Sequence, residues 1–171
     1  MKIEGAFAEL GVYKGITAKV IHFMDTDRRF YLFDTFNGFD PRDLKVEFQN
    51  DSKFDPSNFS DTDIDQVRDY INGNDNLIFR KGYFPETVIG LGKERFALVH
   101  LDADLYMPTL EALKFFYPRM NPGGVIIIHD YNHTWDGILK AVNTFIENIP
   151  ESIIEVMDWQ GSAMIIRNKT K

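Results

Sequence analysis

The residues that could do chemistry fall in three groups. Asp102 and Asp104 follow the apolar run Phe96 to Leu101, and His129 and Asp130 follow another, Val125 to Ile128. Carboxylates and an imidazole gathered at strand ends can hold a divalent cation. Oxygen donors suit Mg²⁺ or Mn²⁺, and a histidine tilts the set toward a transition metal. Asp104 reads as a helix cap or a support for the ligands, and capping of the neighbouring helices is the plain alternative for the whole set. The second group is Glu9, Gly11 and Gly15, with Thr17 just beyond. A glycine turn between a strand and a helix lets backbone approach a ligand closely and frees amides to face it. The spacing is not G-x-G-x-x-G, which disfavours a dinucleotide. Glu9 beside the turn suits a cationic ligand such as S-adenosylmethionine better than a phosphate; the plain alternative is a tight turn. The third is Asp34, about twenty residues on, where a carboxylate is the expected partner of ribose hydroxyls. An Asx-turn before Thr35 is its alternative.

These groups need a scaffold, and the sequence supplies one. Ala6 to Leu10, Phe30 to Phe33, Leu77 to Phe79, Phe96 to Leu101 and Val125 to Ile128 are short apolar runs. Several are apolar at consecutive positions, as in strands of a parallel sheet covered on both faces. Helices are predicted over Ile16 to Met24, Asp61 to Ile71 with Ser60 as N-cap, Thr109 to Tyr117 ended by Pro118, and Trp135 to Ile149. Ser152 to Val156 and Ser162 to Ile166 read as an antiparallel pair. Strands alternating with helices predict an α/β fold: a doubly wound, mostly parallel sheet in a three-layer sandwich. Thr35 to Ser60 shows no periodic element yet holds Phe36, Phe39, Phe48, Phe54 and Phe59. It either covers a substrate or packs over the sheet edge.

Composition narrows the classes. The 171 residues, 44% hydrophobic and 26% charged, fit one globular domain over 1–171. The chain has no cysteine, which excludes disulfides, thiolate zinc sites and a cysteine nucleophile. No apolar run is long enough to span a membrane, and Met1 to Gly5 has no apolar leader, so a cytoplasmic protein is expected. A net charge of -7 and a pI near 5.0 argue against nucleic acid as a partner.

Five segments then carry a resemblance: Ala8 to Gly15 (AELGVYKG), Phe33 to Phe39 (FDTFNGF), Lys81 to Thr87 (KGYFPET), His100 to Tyr106 (HLDADLY) with Thr109, and Asn121 to Val125 (NPGGV) with Asp130 and Tyr131. In order and across nearly the whole chain, they resemble the macrocin O-methyltransferase family. The resemblance implies a class I S-adenosylmethionine-dependent methyltransferase fold and metal-dependent O-methylation of a sugar hydroxyl. It implies cofactor contacts at Glu9, Gly11 and Asp34, with Gly82 and Tyr83 on the adenine side, and metal ligands at Asp102 and Asp130.

Two departures stand out. His129 occupies a place where the family shows an aspartate, which lowers the expected Mg²⁺ affinity. The chain also starts just before its first strand, so the family's N-terminal helical region is expected to be missing and a homo-oligomer to complete the pocket. The expected mechanism is direct displacement on a small-molecule sugar or polyol. Glu9 faces the methionine amine, Asp34 holds the ribose, and a cation on Asp102 and Asp130 lowers the hydroxyl pKa. Asp102 and His133 are the candidate bases, and Asp102 also borders the cofactor. A related sugar-tailoring or hydroxylase-like enzyme and a non-catalytic cofactor-binding module are the alternatives. His22 reads as surface or packing, His100 as structural, and Trp135 and Trp159 as core or rim.

Overall fold

Strands that are apolar at consecutive positions have no polar face to offer water, so both faces must be covered. In the computed structural model, which describes residues 2–47, 55, 57–133 and 136–168, these runs form the middle of a seven-stranded sheet. The elements in chain order are β1 (Ala6–Leu10), α1 (Ile16–Met24), β2 (Phe30–Asp34), α2 (Pro41–Leu44), α3 (Ile64–Ile71) and β3 (Leu77–Lys81). Then follow β4 (Phe96–Leu101), α4 (Tyr106–Phe116), β5 (Met120–Ile128), α5 (Asp136–Ile146), β6 (Ile154–Glu155) and β7 (Ala163–Ile166). The sheet order is β3-β2-β1-β4-β5-β7-β6. Pairing is parallel from β3 to β5, and β7 runs antiparallel to both its neighbours. The doubly wound three-layer architecture is the one the alternation predicts.

Helices α4 and α5 pack together on one face, over Phe33, Phe96, Ile126 and Ile128. Phe96 and Phe116 meet edge to face at 5.0 Å, a geometry that aromatic quadrupoles favour. On the other face α1 and α3 cover Phe7, Phe30, Leu32 and Phe36. Helix α1 turns Ala18 and Ile21 inward, while Ile16, Val20, Phe23 and Met24 form an exposed apolar stripe at helical spacing.

Several boundaries differ from expectation, each for a local reason. Helix α3 starts at Ile64, not Asp61, because its N-cap is Asp63, whose carboxylate accepts from Asp65 N and Gln66 N; Ser60 instead donates to Ser57 O. Helix α4 starts three residues early, at Tyr106, because Pro108 sits in its first turn, where a missing N–H costs nothing. Strand β5 begins at Met120 and bulges through Gly123 and Gly124 before regular pairing resumes at Val125. Trp159 is exposed on the turn before β7, and His22 is buried by packing. Trp135, Phe48 and Phe54 lie outside the described residues. Among the described residues no helix is long and apolar enough to cross a membrane.

Candidate active site

Parallel strands point their carboxyl ends at one rim, and the strand order decides which tips stand side by side. Along the rim come Tyr83 beyond β3, Asp34 ending β2, Gly11 after β1, Asp102 after β4, and His129 with Asp130 after β5. Four strand spacings put the outer two tips roughly 19 Å apart. A cleft of about 250 Å³ is lined by all of them.

The glycine turn is set by crowding. Gly11 has φ +87°, and a Cβ there would lie 1.9 Å from the carbonyl oxygen of Asp102. Only glycine lets the exit of β1 pass so close to that of β4, where Asp102 N donates to Leu10 O at 2.8 Å. Gly15, at φ +79°, occupies the N-cap of α1 and abuts Val67 and Ile71. Asp34 clamps the turn from the side. Its Oδ2 accepts from Val12 N at 2.7 Å and Tyr13 N at 2.9 Å, and its Oδ1 from Phe36 N at 2.6 Å. The Asx-turn and the cleft position therefore coexist in one side chain. A carboxylate offers about four acceptor positions, so one remains for a ligand.

The segment after β2 returns to the same turn. Tyr13 Oη and Lys14 Nζ both donate to the Asp61 carboxylate, and Thr62 Oγ1 donates to Tyr13 O. Within it Phe59 packs edge-on against Tyr13 and Phe39, and Phe39 and Phe59 line the cleft. Phe36 instead packs into the core beneath α1 and α3. The described phenylalanines of this stretch thus divide between the cleft wall and the core.

At the β4–β5 end, Asp102, His129 and Asp130 bring one ligand atom each to within 4.8 Å of one another. His129 Nδ1 lies 3.1 Å from Asp102 Oδ1 and 3.3 Å from Asp130 Oδ1. It is shielded from water, yet aligned to donate to neither oxygen. Two carboxylates and one imidazole converging in this way fit a divalent cation, and the nitrogen favours a transition metal over Mg²⁺. The contacts to Asp102 and Asp130 push the imidazole pKa up to about 11. Asp104 adds a further carboxyl to the cleft wall. Burial, with Asp102 and Asp130 beside it, raises its pKa well above the usual range. It does not cap α4: the N-cap is Leu105, and Tyr106 N donates instead to Glu47 Oε2, from the segment after α2.

At the opposite end stands Asp43 on α2. Its carboxylate is buried and accepts from Tyr83 Oη at 3.1 Å. Burial pushes its pKa up to about 6. Tyr83, desolvated and beside that charge, is pushed up to about 12. Helix α2 itself has a sequence signal, Asp40 at the N-cap with Pro41 at N1. Four residues are too few for periodicity to reveal.

Of the residues singled out from sequence, the cleft wall contains Gly11, Asp34, Gly82, Tyr83, Asp102, His129 and Asp130. Glu9 is 1% exposed and is not part of the wall; its Oε1 lies 2.9 Å from His100 Nδ1 on the neighbouring strand, and its Oε2 is buried without a partner among the described residues. Burial pushes the Glu9 pKa up to about 7. Gly15 and Thr17 shape the start of α1 without lining the cleft, and His133 lies on the exposed loop after β5, also outside the wall. Asp43 and Glu47 were missed because their partners, Tyr83 and Tyr106, are remote in sequence.

The sequence matches the family described as Macrocin-O-methyltransferase (TylF) over residues 1–164. The chain belongs to the macrocin O-methyltransferase family. One relative, 8-demethyl-8-(2,3-dimethoxy-alpha-L-rhamnosyl)-tetracenomycin-C 4'-O-methyltransferase of Streptomyces olivaceus, is 29% identical over 75% of this chain and 54% of its own length. Another, mycinamicin III 3''-O-methyltransferase of Micromonospora griseorubida, is 30% identical over 93% of this chain and 67% of its own. The chain thus spans 54% to 67% of the length of these two family relatives. Among solved structures, the O-methyltransferase NovP matches with a TM-score of 0.82 at 22% identity, covering 98% of this chain and 73% of NovP. The calicheamicin methyltransferase CalS11 matches at 0.74 and 17% identity, over 95% of this chain and 72% of CalS11. At those identities the likeness is one of fold, that of the class I methyltransferases.

Proposed function

We propose that this family member transfers the methyl group of S-adenosylmethionine to a hydroxyl of a sugar or sugar-bearing small molecule, with a divalent cation at Asp102, His129 and Asp130. The charge of the cleft carries the reading. Asp34, Asp43, Asp102 and Asp130 line it, beside Asp104, whose pKa is raised, and Asp40, which Arg42 pairs; no lysine or arginine lines it among the described residues. Such a wall draws in a sulfonium, an ammonium and a metal ion, and repels phosphate. The tetracenomycin relative, whose name carries a rhamnosyl group, supports a sugar acceptor, and both relatives are named for O-methylation.

Each residue has a part in this reading. The last acceptor position on Asp34 takes a ribose hydroxyl, and the Gly11 turn offers backbone unobstructed by a side chain. Bound S-adenosylmethionine supplies an electrophilic methyl carbon, whose bond to sulfur breaks as its bond to the acceptor oxygen forms. A bound cation supplies Lewis acidity that lowers the pKa of the acceptor hydroxyl. Asp102 lines the cleft and His133 does not, which favours Asp102 as the group that takes the hydroxyl proton. The strand tips hold donor and acceptor sites in fixed relation, and alignment of this kind accounts for several kcal/mol of a barrier, roughly 7–11 in the best cases.

The test uses the purified chain with tritium-labelled methyl donor and a panel of glycosylated acceptors, with and without Mn²⁺, alongside calorimetry of S-adenosylhomocysteine. Label in the sugar, lost in Asp130→Asn, is the expected result. Neither binding nor transfer under any metal condition would overturn the reading.

A further inference from the structure

The mechanism above leaves Asp43 idle, and its setting is costly. A carboxylate removed from water loses solvation that only a partner can replace. Asp43 is 6% exposed, and its one bond to a described side chain is the one from Tyr83 Oη to Oδ1. The adjacent Arg42 acts on it only through space and makes no bond to it: that guanidinium bonds Asp40 and Glu86 and stacks 3.5 Å from the Tyr83 ring centre. Nor does Asp43 cap its own helix, since Asp40 does. The side chain is nonetheless part of the cleft wall.

The strand order says which part of a ligand meets it. Tyr83 follows β3, Asp34 ends β2, and the metal-type triad stands beyond β4 and β5. A nucleoside with its ribose at Asp34 and its sulfonium toward the triad must place its base on the remaining side, against Tyr83 and Asp43. We infer that Asp43 accepts a hydrogen bond from the exocyclic amine of that base, and so selects a 6-aminopurine over a 6-oxopurine. The inference rests on the donor assignment of the preceding section.

The chemistry of selection is direct. An ionised carboxylate only accepts, and a 6-amino group donates. A 6-oxo group would set oxygen against oxygen and leave both without a donor. Bonds to charged groups are worth about 10- to 150-fold in binding when lost. Tyr83, by donating to Oδ1, fixes the carboxylate rotamer and leaves the other oxygen to the ligand.

The deciding measurement is calorimetric binding of S-adenosylhomocysteine and its 6-oxo analogue, S-inosylhomocysteine, to the full chain and to Asp43→Asn and Asp43→Ala. The unmodified chain should prefer the adenosyl ligand by about 10- to 100-fold. Asp43→Asn, whose amide can donate to a 6-oxo group, should shrink that ratio to about threefold or less, chiefly by binding the inosyl ligand more tightly. A variant that loses affinity equally for both ligands would overturn the inference and leave Asp43 a support for Tyr83. Asp43→Ala guards against misfolding: melting with an intact transition, it should lose the preference without gaining inosyl affinity. Equal binding of both ligands by the unmodified chain would sink the inference alone, whereas no binding of either would sink the donor assignment with it.

Discussion

Asp34 makes the sharpest test of how this cleft is built, because it holds the turn as well as lining the cleft. Replacing it with alanine removes the acceptor for three backbone amides, those of Val12, Tyr13 and Phe36. A hydrogen bond to a charged group contributes about 1.5–3 kcal/mol when both partners are well buried. These are part-buried, so water can recover a share, and a loss of about 3 kcal/mol in all is the working figure. For a chain of this size that lowers Tm by about 6–12 °C. Asp34→Asn keeps one acceptor oxygen, so it should lose about half as much. Thermal and urea unfolding of both variants, run beside S-adenosylhomocysteine calorimetry, separates fold from ligand. If Asp34→Ala melts within about 2 °C of the unmodified chain, the clamp reasoning is wrong. If Asp34→Asn stays folded at the assay temperature yet loses affinity at least tenfold, the spare acceptor position is the one the ribose uses.

Three further outcomes follow from the geometry. Gly11→Ala sets a Cβ against the Asp102 carbonyl at a positive φ, so it should cost at least about 3 kcal/mol in urea unfolding, and unchanged stability would refute the close approach. Burial raises the Glu9 pKa from 4.5 to about 7, so the folded state holds that proton more tightly than the unfolded one. The stability this group contributes is full below about pH 4.5 and drains away as pH rises to about 7. Glu9 faces His100 across the strands, with Asp102 and Asp34 nearby. Glu9→Gln should therefore match the unmodified chain near pH 4.5 and exceed it by up to about 3 kcal/mol at pH 8, and a pH-independent difference would contradict this. Mn²⁺ should bind at least about tenfold more tightly than Mg²⁺, as read by calorimetry and by loss of the free-ion electron-spin signal; His129→Asp should narrow the gap, and an unaltered ratio would remove His129 from the ligand set.

Much of the fold was legible because it rests on local pattern. Ala6 to Leu10 and Phe96 to Leu101 are apolar but for Glu9 and His100, and each forms a strand with the bounds its sequence suggests. The triad was legible for a related reason: residues just past parallel strands must share a rim, wherever they fall in sequence. What escaped was side-chain direction and long-range pairing. Glu9 looked free to face a ligand, but strand alternation turns it toward His100, 91 residues away. Asp43 lies on a helix of four residues, shorter than the period that would betray it, and its partner Tyr83 is 40 residues on. Asp34 carried two rival readings, and the sequence could not say that one carboxylate makes the Asx-turn and also lines the cleft.

The ties at Val12, Tyr13 and Lys14 have a consequence for how the cover over the cleft can change. Asp34 fastens the start of the segment to that turn, and Asp61 and Thr62 fasten its end to the same place. The segment is thus a loop with both feet already held together by the sheet and helices around it. Closure entropy grows only with the logarithm of length, so doubling such a loop costs about 0.6 kcal/mol. Insertions between the two feet are cheap, while a change at either foot loosens the turn itself. A wall of the cleft can therefore be lengthened with the strand tips left untouched. Grafting between relatives should leave Asp34, Asp61 and Thr62 in place, together with Asp43 and Glu47, which bond Tyr83 and the Tyr106 amide.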